Sequence, residues 1–225
     1  EVMIRELASR LASRLSGRLP GLAAQRRMAP IGRITSDYNA NPPGARVSAV
    51  LLLITPALEL VYIRRAQDGG RHSGQIAFPG GVREEHDSDL VATALRETHE
   101  EIGVVPSSVM LLGELTPLYI PVTNFKIQPV VGALSAVPEF VCQPGEADEV
   151  ILLPIAGFAQ SVDIMRMVRD GVPYEPPCYR FGAVEVWGAT AMITAEFLAV
   201  WDEVAAGWNA SGGPAGGPRG GSPGG

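Results

Sequence analysis

The chain has 225 residues, a net charge of −6, 46% apolar residues and 19% charged ones. That length holds one domain with a real core rather than two, and that balance excludes a wholly disordered chain. The charge is uneven: residues 1–46 carry eight Arg against Glu1, Glu6 and Asp37, a net +5, and the rest carries a net −11. An acidic body argues against non-specific nucleic-acid binding, and an anionic substrate would need a cation or a local Arg cluster to hold it. No apolar run reaches the roughly 18 residues of a membrane span, so no membrane role is expected. Cys142 and Cys178 are too few for a disulfide framework. With no secretory signal, the expectation is a cytoplasmic protein with two reduced thiols.

Ile4, Leu7, Leu11 and Leu15 recur at helical spacing, with Arg5, Arg10 and Arg14 between them. This predicts an amphipathic helix that packs on the domain or on a second subunit, which leaves a homodimer open. A transit peptide is the competing reading of the same Arg- and Ser-rich stretch. Residues 1–24 therefore read as helix and linker, and 25–206 as the main domain. Arg46–Ile54 and Leu58–Arg64 read as strands joined at Thr55-Pro56-Ala57, a hairpin. Residues 65–88, rich in Gly and polar groups, read as a long loop. Residues 88–103 form the clearest helix: Val91, Leu95, Thr98 and Ile102 share a face, and Gly103 is a stop. Further strands are expected at Val109–Leu118, Lys126–Leu134 and Val150–Leu153, and a helix near Ile155–Val162. A second hairpin is expected around Gly182, and a last helix over Thr190–Ala206. Residues 207–225 hold nine Gly and three Pro, a composition that cannot bury apolar area and reads as a disordered tail. Strands and helices sharing one core predict a mixed α/β layered domain.

The chemistry concentrates in Arg96-Glu97-Thr98-His99-Glu100-Glu101-Ile102-Gly103. At 100° per residue, Glu97, Glu100 and Glu101 fall on one helix face. Three carboxylates within about one turn repel one another, and they sit at the helix end that disfavours negative charge. A solvated acidic face is the plain alternative. A divalent cation would turn these costs into binding energy, and all-oxygen ligands point to Mg²⁺ or Mn²⁺. The preceding Phe78-Pro79-Gly80-Gly81 favours the cation. Its glycines permit a close backbone approach, the layout expected of a loop that presents a metal–diphosphate complex to the acidic helix.

From Gly81 through Val104 the sequence resembles the Nudix box: Gly, five residues, an acid, then Arg-Glu, two residues, Glu-Glu, one residue and Gly. A chance match to its Arg-Glu-x-x-Glu-Glu-x-Gly part has odds of about 10⁻⁴ in a chain this long. The first acid is Asp87, and eight residues rather than seven separate it from Arg96. That expansion, with three residues between Gly74 and Phe78-Pro79-Gly80-Gly81, resembles the coenzyme A pyrophosphatase-like branch of the family. The resemblance implies the Nudix fold, an α/β/α sandwich around a mixed β-sheet. It also implies hydrolysis of a nucleoside diphosphate linked to a second moiety, by attack of water on one phosphorus with a Mg²⁺ or Mn²⁺ cofactor. Coenzyme A or a derivative, cut to 3′,5′-ADP and 4′-phosphopantetheine, is the expected substrate. ADP-ribose or another nucleotide sugar or dinucleotide is the alternative, and a non-catalytic nucleotide sensor is the alternative of a different class.

By position, the resemblance makes Glu97, Glu100 and Glu101 the metal ligands, with the Gly81 carbonyl a further one. Arg96 would orient Glu97 and pair with Asp87. Glu100 and Glu149 are the two choices of general base. Arg64, Arg65, Arg71, His72 and Lys126 supply positive charge or hydrogen bonds near the glycine turn. Gln75, Phe78 and Gly80 join Arg65, Arg71 and His72 in the implied substrate-binding set.

Overall fold

The computed structural model describes residues 2–30, 41–67, 69, 73–169 and 171–210. Five helices and strands come first along the chain. They are α1 (Val2–Leu15), α2 (Leu22–Gln25), β1 (Arg46–Ile54), β2 (Glu59–Arg65) and β3 (Ile76–Ala77). Then follow β4 (Gly80–Val82), α3 (Leu90–Ile102), β5 (Val109–Glu114), β6 (Leu118–Ile120), β7 (Phe125–Leu134) and β8 (Ala147–Pro154). The C-terminal part holds β9 (Val162–Ile164), β10 (Met167–Arg169), β11 (Val172–Tyr174), β12 (Pro177–Phe181), β13 (Val184–Trp187) and α4 (Gly188–Ala210).

The main sheet is mixed. Its path runs β3-β2-β1-β7-β5, with β4 paired to β1, β6 to β7 and β8 to β2. β1 and β7 are parallel over their whole length, from Arg46↔Phe125 to Ile54↔Ala133. Both faces of β1 are covered, which is why it reads as a continuous apolar run. Ala49, Leu51 and Leu53 point to α3, with Ala94 and Ile102. Leu52 and Ile54 point to the opposite layer, with Leu7 and Leu11 of α1 and Phe197 and Trp201 of α4. The result is the helix–sheet–helix sandwich.

The hairpin expectation holds only at the turn. β1 and β2 meet at Ile54↔Leu60. Further along, β4 pairs with β1 through Ser48↔Val82 to Val50↔Gly80. The segment read as a long loop is thus partly strand, because a splayed hairpin leaves β1 with edge hydrogen-bonding groups that β4 fills. The expected strand 109–118 is broken after Glu114, and the expected helix near 155–162 is the 3-10 helix Ile155–Gln160. The helix expected over 190–206 runs from Gly188 to Ala210, because Trp208 is buried and the Arg10 guanidinium lies 5.2 Å from its ring centroid. Residues 211–225 of the expected tail lie outside the described residues. α1 packs on its own domain, tied by Arg14 Nε to Glu203 Oε2 at 2.5 Å.

Candidate active site

α3 begins with Asp89, whose side chain accepts a hydrogen bond from the Ala92 N–H at 2.7 Å. It ends at Gly103, whose φ of 75° is the left-handed conformation favoured at a helix stop. Between these caps, the apolar face of α3 against β1 fixes which residues turn toward β4. Glu101 is buried there and accepts the Gly80 N–H at 2.8 Å on Oε2. Glu97 is half-buried, with its carboxylate against Gly81. A β-carbon on Gly81 would overlap that carboxylate, and one on Gly80 would overlap the Ala49 carbonyl and the Val50 backbone. Both glycines are therefore required by contacts within the protein. The Gly80 amide holds Glu101, and Gly80 itself lies in a cleft wall.

Arg96 ties the site together. Its Nε and Nη2 grip the two oxygens of Asp87 at 2.9 and 3.0 Å. Nη2 also reaches the Val82 carbonyl at 3.1 Å, and Nη1 reaches Glu97 Oε1 at 2.9 Å and Glu100 Oε2 at 2.8 Å. Asp87 Oδ2 further accepts the Glu84 N–H and the Thr93 hydroxyl, each at 2.9 Å. These donors, Arg96 first, hold the Asp87 carboxyl well below the usual carboxylate range, and Asp87 in turn holds the Arg96 charge more firmly.

The remaining acids are pushed the other way. Burial raises the Glu97 carboxyl, with Arg96 opposing and the charges of Glu100 and Glu146 adding to the rise. Burial pushes Glu101 up to about 8, against the pull of the Gly80 N–H and Arg65 and with the help of Glu97 and Glu146. These are oxygen donors in a partly dry setting with mutual repulsion, which a hard divalent cation would relieve. The donor chemistry fits Mg²⁺ or Mn²⁺. Among the described residues, no three His, Cys, Asp or Glu side chains converge as a ready cage. Arg96 holds Glu97 and Glu100, and Glu101 holds Gly80.

Glu97, Glu101, Gly80 and Gly81 lie in the wall of a cleft of about 870 Å³. Arg65, Gln75 and Phe78 also line it. Phe78 is buried and stacks on Tyr62 at 4.6 Å, so it shapes the floor from the core. Glu100 is exposed and does not line the cleft. Neither does Glu149, which lies on β8 opposite Arg64 and pairs with it at 3.0 Å. Lys126 bonds to Asn41 Oδ1 at 3.0 Å and is likewise absent from the lining. Arg71 and His72 lie outside the described residues.

Sequence reasoning missed Glu146, which lines the cleft three residues before Glu149. Its carbonyl accepts the Ala66 N–H at 3.1 Å, which docks its loop onto the end of β2. The signal was the Glu-Ala-Asp-Glu run, within which strand register alone separates the two glutamates. Also missed were Ile120 of β6, Met167, Val168 and Arg169 of β10, and Trp187, all on the cleft wall with Phe125, a substrate-contact candidate from the sequence.

A NUDIX domain model matches residues 44–154. The chain is 34% identical over 166 residues to the mitochondrial coenzyme A diphosphatase NUDT8 of Homo sapiens, covering 71% of this chain and 70% of that protein. It is 32% identical over 173 residues to the Nudix hydrolase NudL of Photorhabdus laumondii, covering 75% and 89%. Among solved structures, the MutT protein from Methanosarcina mazei Go1 aligns with a TM-score of 0.47 at 16% identity, covering 68% of this chain and 91% of that one. The chain belongs to the Nudix hydrolase family. It is accordingly a hydrolase of the class that acts on small nucleotide diphosphates and generally needs a divalent metal ion. No described helix is long and apolar enough to cross a membrane.

Proposed function

We propose that this Nudix hydrolase cleaves the diphosphate of coenzyme A or its derivatives in a Mg²⁺- or Mn²⁺-dependent reaction, releasing 3′,5′-ADP and 4′-phosphopantetheine. The observation that carries the proposal is the seating of Glu97 against Gly81 and of Glu101 on the Gly80 amide, at the wall of a cleft large enough for a dinucleotide-sized substrate. The resemblance to a coenzyme A diphosphatase supports the choice of substrate.

Glu97, Glu101 and the Gly81 carbonyl would hold the ion. Bound there, the ion supplies acidification of water, neutralisation of the diphosphate oxygens and in-line geometry. Arg96 keeps Glu97 in place and, by holding Asp87, ties the loop after β4 to α3. Arg65, with its charge beside Glu101, faces the diphosphate. Glu146 replaces Glu149 and Glu100 as the base that takes the proton of the attacking water, because it lines the cleft and they do not. Ile120, Phe125 and Trp187 give the cleft apolar walls for the parts of the substrate beyond the diphosphate.

The test is a panel of coenzyme A, dephospho-coenzyme A, ADP-ribose, diadenosine polyphosphates and nucleoside triphosphates, each with Mg²⁺ and with Mn²⁺, with products resolved chromatographically. Highest kcat/KM on coenzyme A, with both named products, is the expected result. Good cleavage of ADP-ribose with none of coenzyme A would transfer the enzyme to nucleotide-sugar hydrolysis.

A further inference from the structure

The described residues lining the cleft include four carboxylates, on Glu84, Glu97, Glu101 and Glu146, and two guanidinium groups, on Arg65 and Arg169. The two cations serve different places. Arg65 ends β2, and its charge acts on Glu101. Arg169 stands on the β10–β11 hairpin, which is separate from the main sheet. Its guanidinium carbon lies 5.8 Å from the centre of the Tyr174 ring. Tyr174 in turn meets Trp187 edge-on, with centroids 6.3 Å apart and planes at 72°. An Arg–Tyr–Trp chain thus fixes Arg169 at the cleft wall, half-buried beside Met167 and Val168.

A cation–ring contact at this distance engages the guanidinium through its charge rather than through an N–H hydrogen bond, and leaves the N–H groups that grip a phosphate with two parallel hydrogen bonds. Among the described residues no carboxylate comes within ion-pair distance of Arg169, whereas its neighbour Arg166 pairs with Glu175 at 3.4 Å and Arg180 pairs with Asp163 at 2.6 Å. A cation with no partner carboxylate among the described residues, held in the cleft of an acidic protein, is poised for an anion on the ligand. The scissile diphosphate belongs at the other cation, beside the carboxylates.

We propose that Arg169 is a specificity-determining residue, binding a second, non-scissile phosphate monoester that the substrate carries away from its diphosphate. The proposal rests on the diphosphate-hydrolase reading and adds to it the residue that distinguishes a phosphorylated nucleotide from its dephospho form. Arg65, Arg71 and Lys126 are the sequence's own candidates for that role. Arg65 lines the cleft, with its charge on Glu101. Lys126 does not line the cleft, being bonded to Asn41.

Two measurements test the proposal, one of them independent of turnover. The affinities of 3′,5′-ADP and 5′-AMP are measured by calorimetry with Mg²⁺ present, on wild type, Arg169→Gln and Arg169→Lys. The kcat/KM ratio of coenzyme A to dephospho-coenzyme A is measured on the same proteins. Wild type is expected to favour the phosphorylated partner about tenfold or more in both assays, the effect of one charge-assisted phosphate contact. Gln should bring both ratios close to one, and Lys, which keeps the charge but not the fork, should retain part of them. Should the Gln variant fail to fold, the wild-type binding ratio must still shrink as salt rises from about 0.05 to 0.5 M, since the contact is ionic and partly exposed. A wild-type ratio near one, or a ratio that survives in Arg169→Gln, overturns the proposal and leaves diphosphate hydrolysis standing. Failure to cleave any diphosphate overturns the hydrolase reading instead, while an Arg169-dependent preference for 3′,5′-ADP would still establish the phosphate contact.

Discussion

Replacing Arg96 with Met keeps an unbranched side chain of similar helix propensity and removes the cation that Asp87 faces. The Asp87 side chain is only 3% exposed, so its charge would be left in a nearly dry place. Removing one partner of a buried ion pair costs about 3–5 kcal/mol. Asp87 keeps two donors, the Glu84 N–H and the Thr93 hydroxyl, which places the expected loss at the lower end, about 3 kcal/mol. With a urea slope of about 2 kcal/mol/M, the unfolding midpoint should fall by about 1.5 M at neutral pH. The acid side of the stability profile carries the same signature. The Asp87 carboxyl titrates lower in the folded protein than the ordinary value of 3.8. Its contribution is therefore complete above that value and is lost as pH falls through the folded one. In Arg96→Met this loss should begin at higher pH, and an Asp87→Asn/Arg96→Met double variant should recover part of the stability. A midpoint shift below about 0.5 M with an unchanged acid limb would refute the account of Arg96 as the buried tie between loop and helix.

Gly81→Ala drives a methyl into the Glu97 carboxylate, so it should cost about 1–3 kcal/mol of stability and lower kcat, read by urea unfolding and initial rates. Glu97→Gln and Glu101→Gln should each lower turnover by orders of magnitude at limiting Mg²⁺ while circular dichroism stays unchanged, since shape and helix propensity are kept. Glu146→Gln should lower kcat by about 10²- to 10⁴-fold, and Glu149→Gln, paired with Arg64 outside the cleft, should change it by no more than a few-fold. The reverse order would return the base to Glu149. Trp208→Ala should lower stability by about 3–5 kcal/mol in the same unfolding assay, because this ring is buried near the end of α4.

Local chemistry was legible in the sequence wherever one segment carried it whole. α3 was readable because its caps, its apolar face and its three glutamates lie within one stretch of helix, so spacing alone places them. β1 and β7 were readable as apolar runs because both are buried on two faces. The glycine turn was readable as a place of close approach, but not what approaches it. That Glu97 packs on Gly81 and Glu101 holds Gly80 depends on β4 lying beside β1, a pairing between segments some 30 residues apart.

The sequence by itself determined the family motif, the acidic helix face and the mixed α/β layering, since each follows from periodicity or spacing over short distances. Only the tertiary structure decided which acids share a cleft. Glu146 and Glu149 differ by three positions, yet one faces the site and the other pairs with Arg64, because β8 starts at Ala147 and its register against β2 sets every later side chain. Likewise β10, β11 and β13 come from short strands with weak patterns of their own. They bring Arg169, Tyr174 and Trp187 together by packing, and no period in the chain records that meeting.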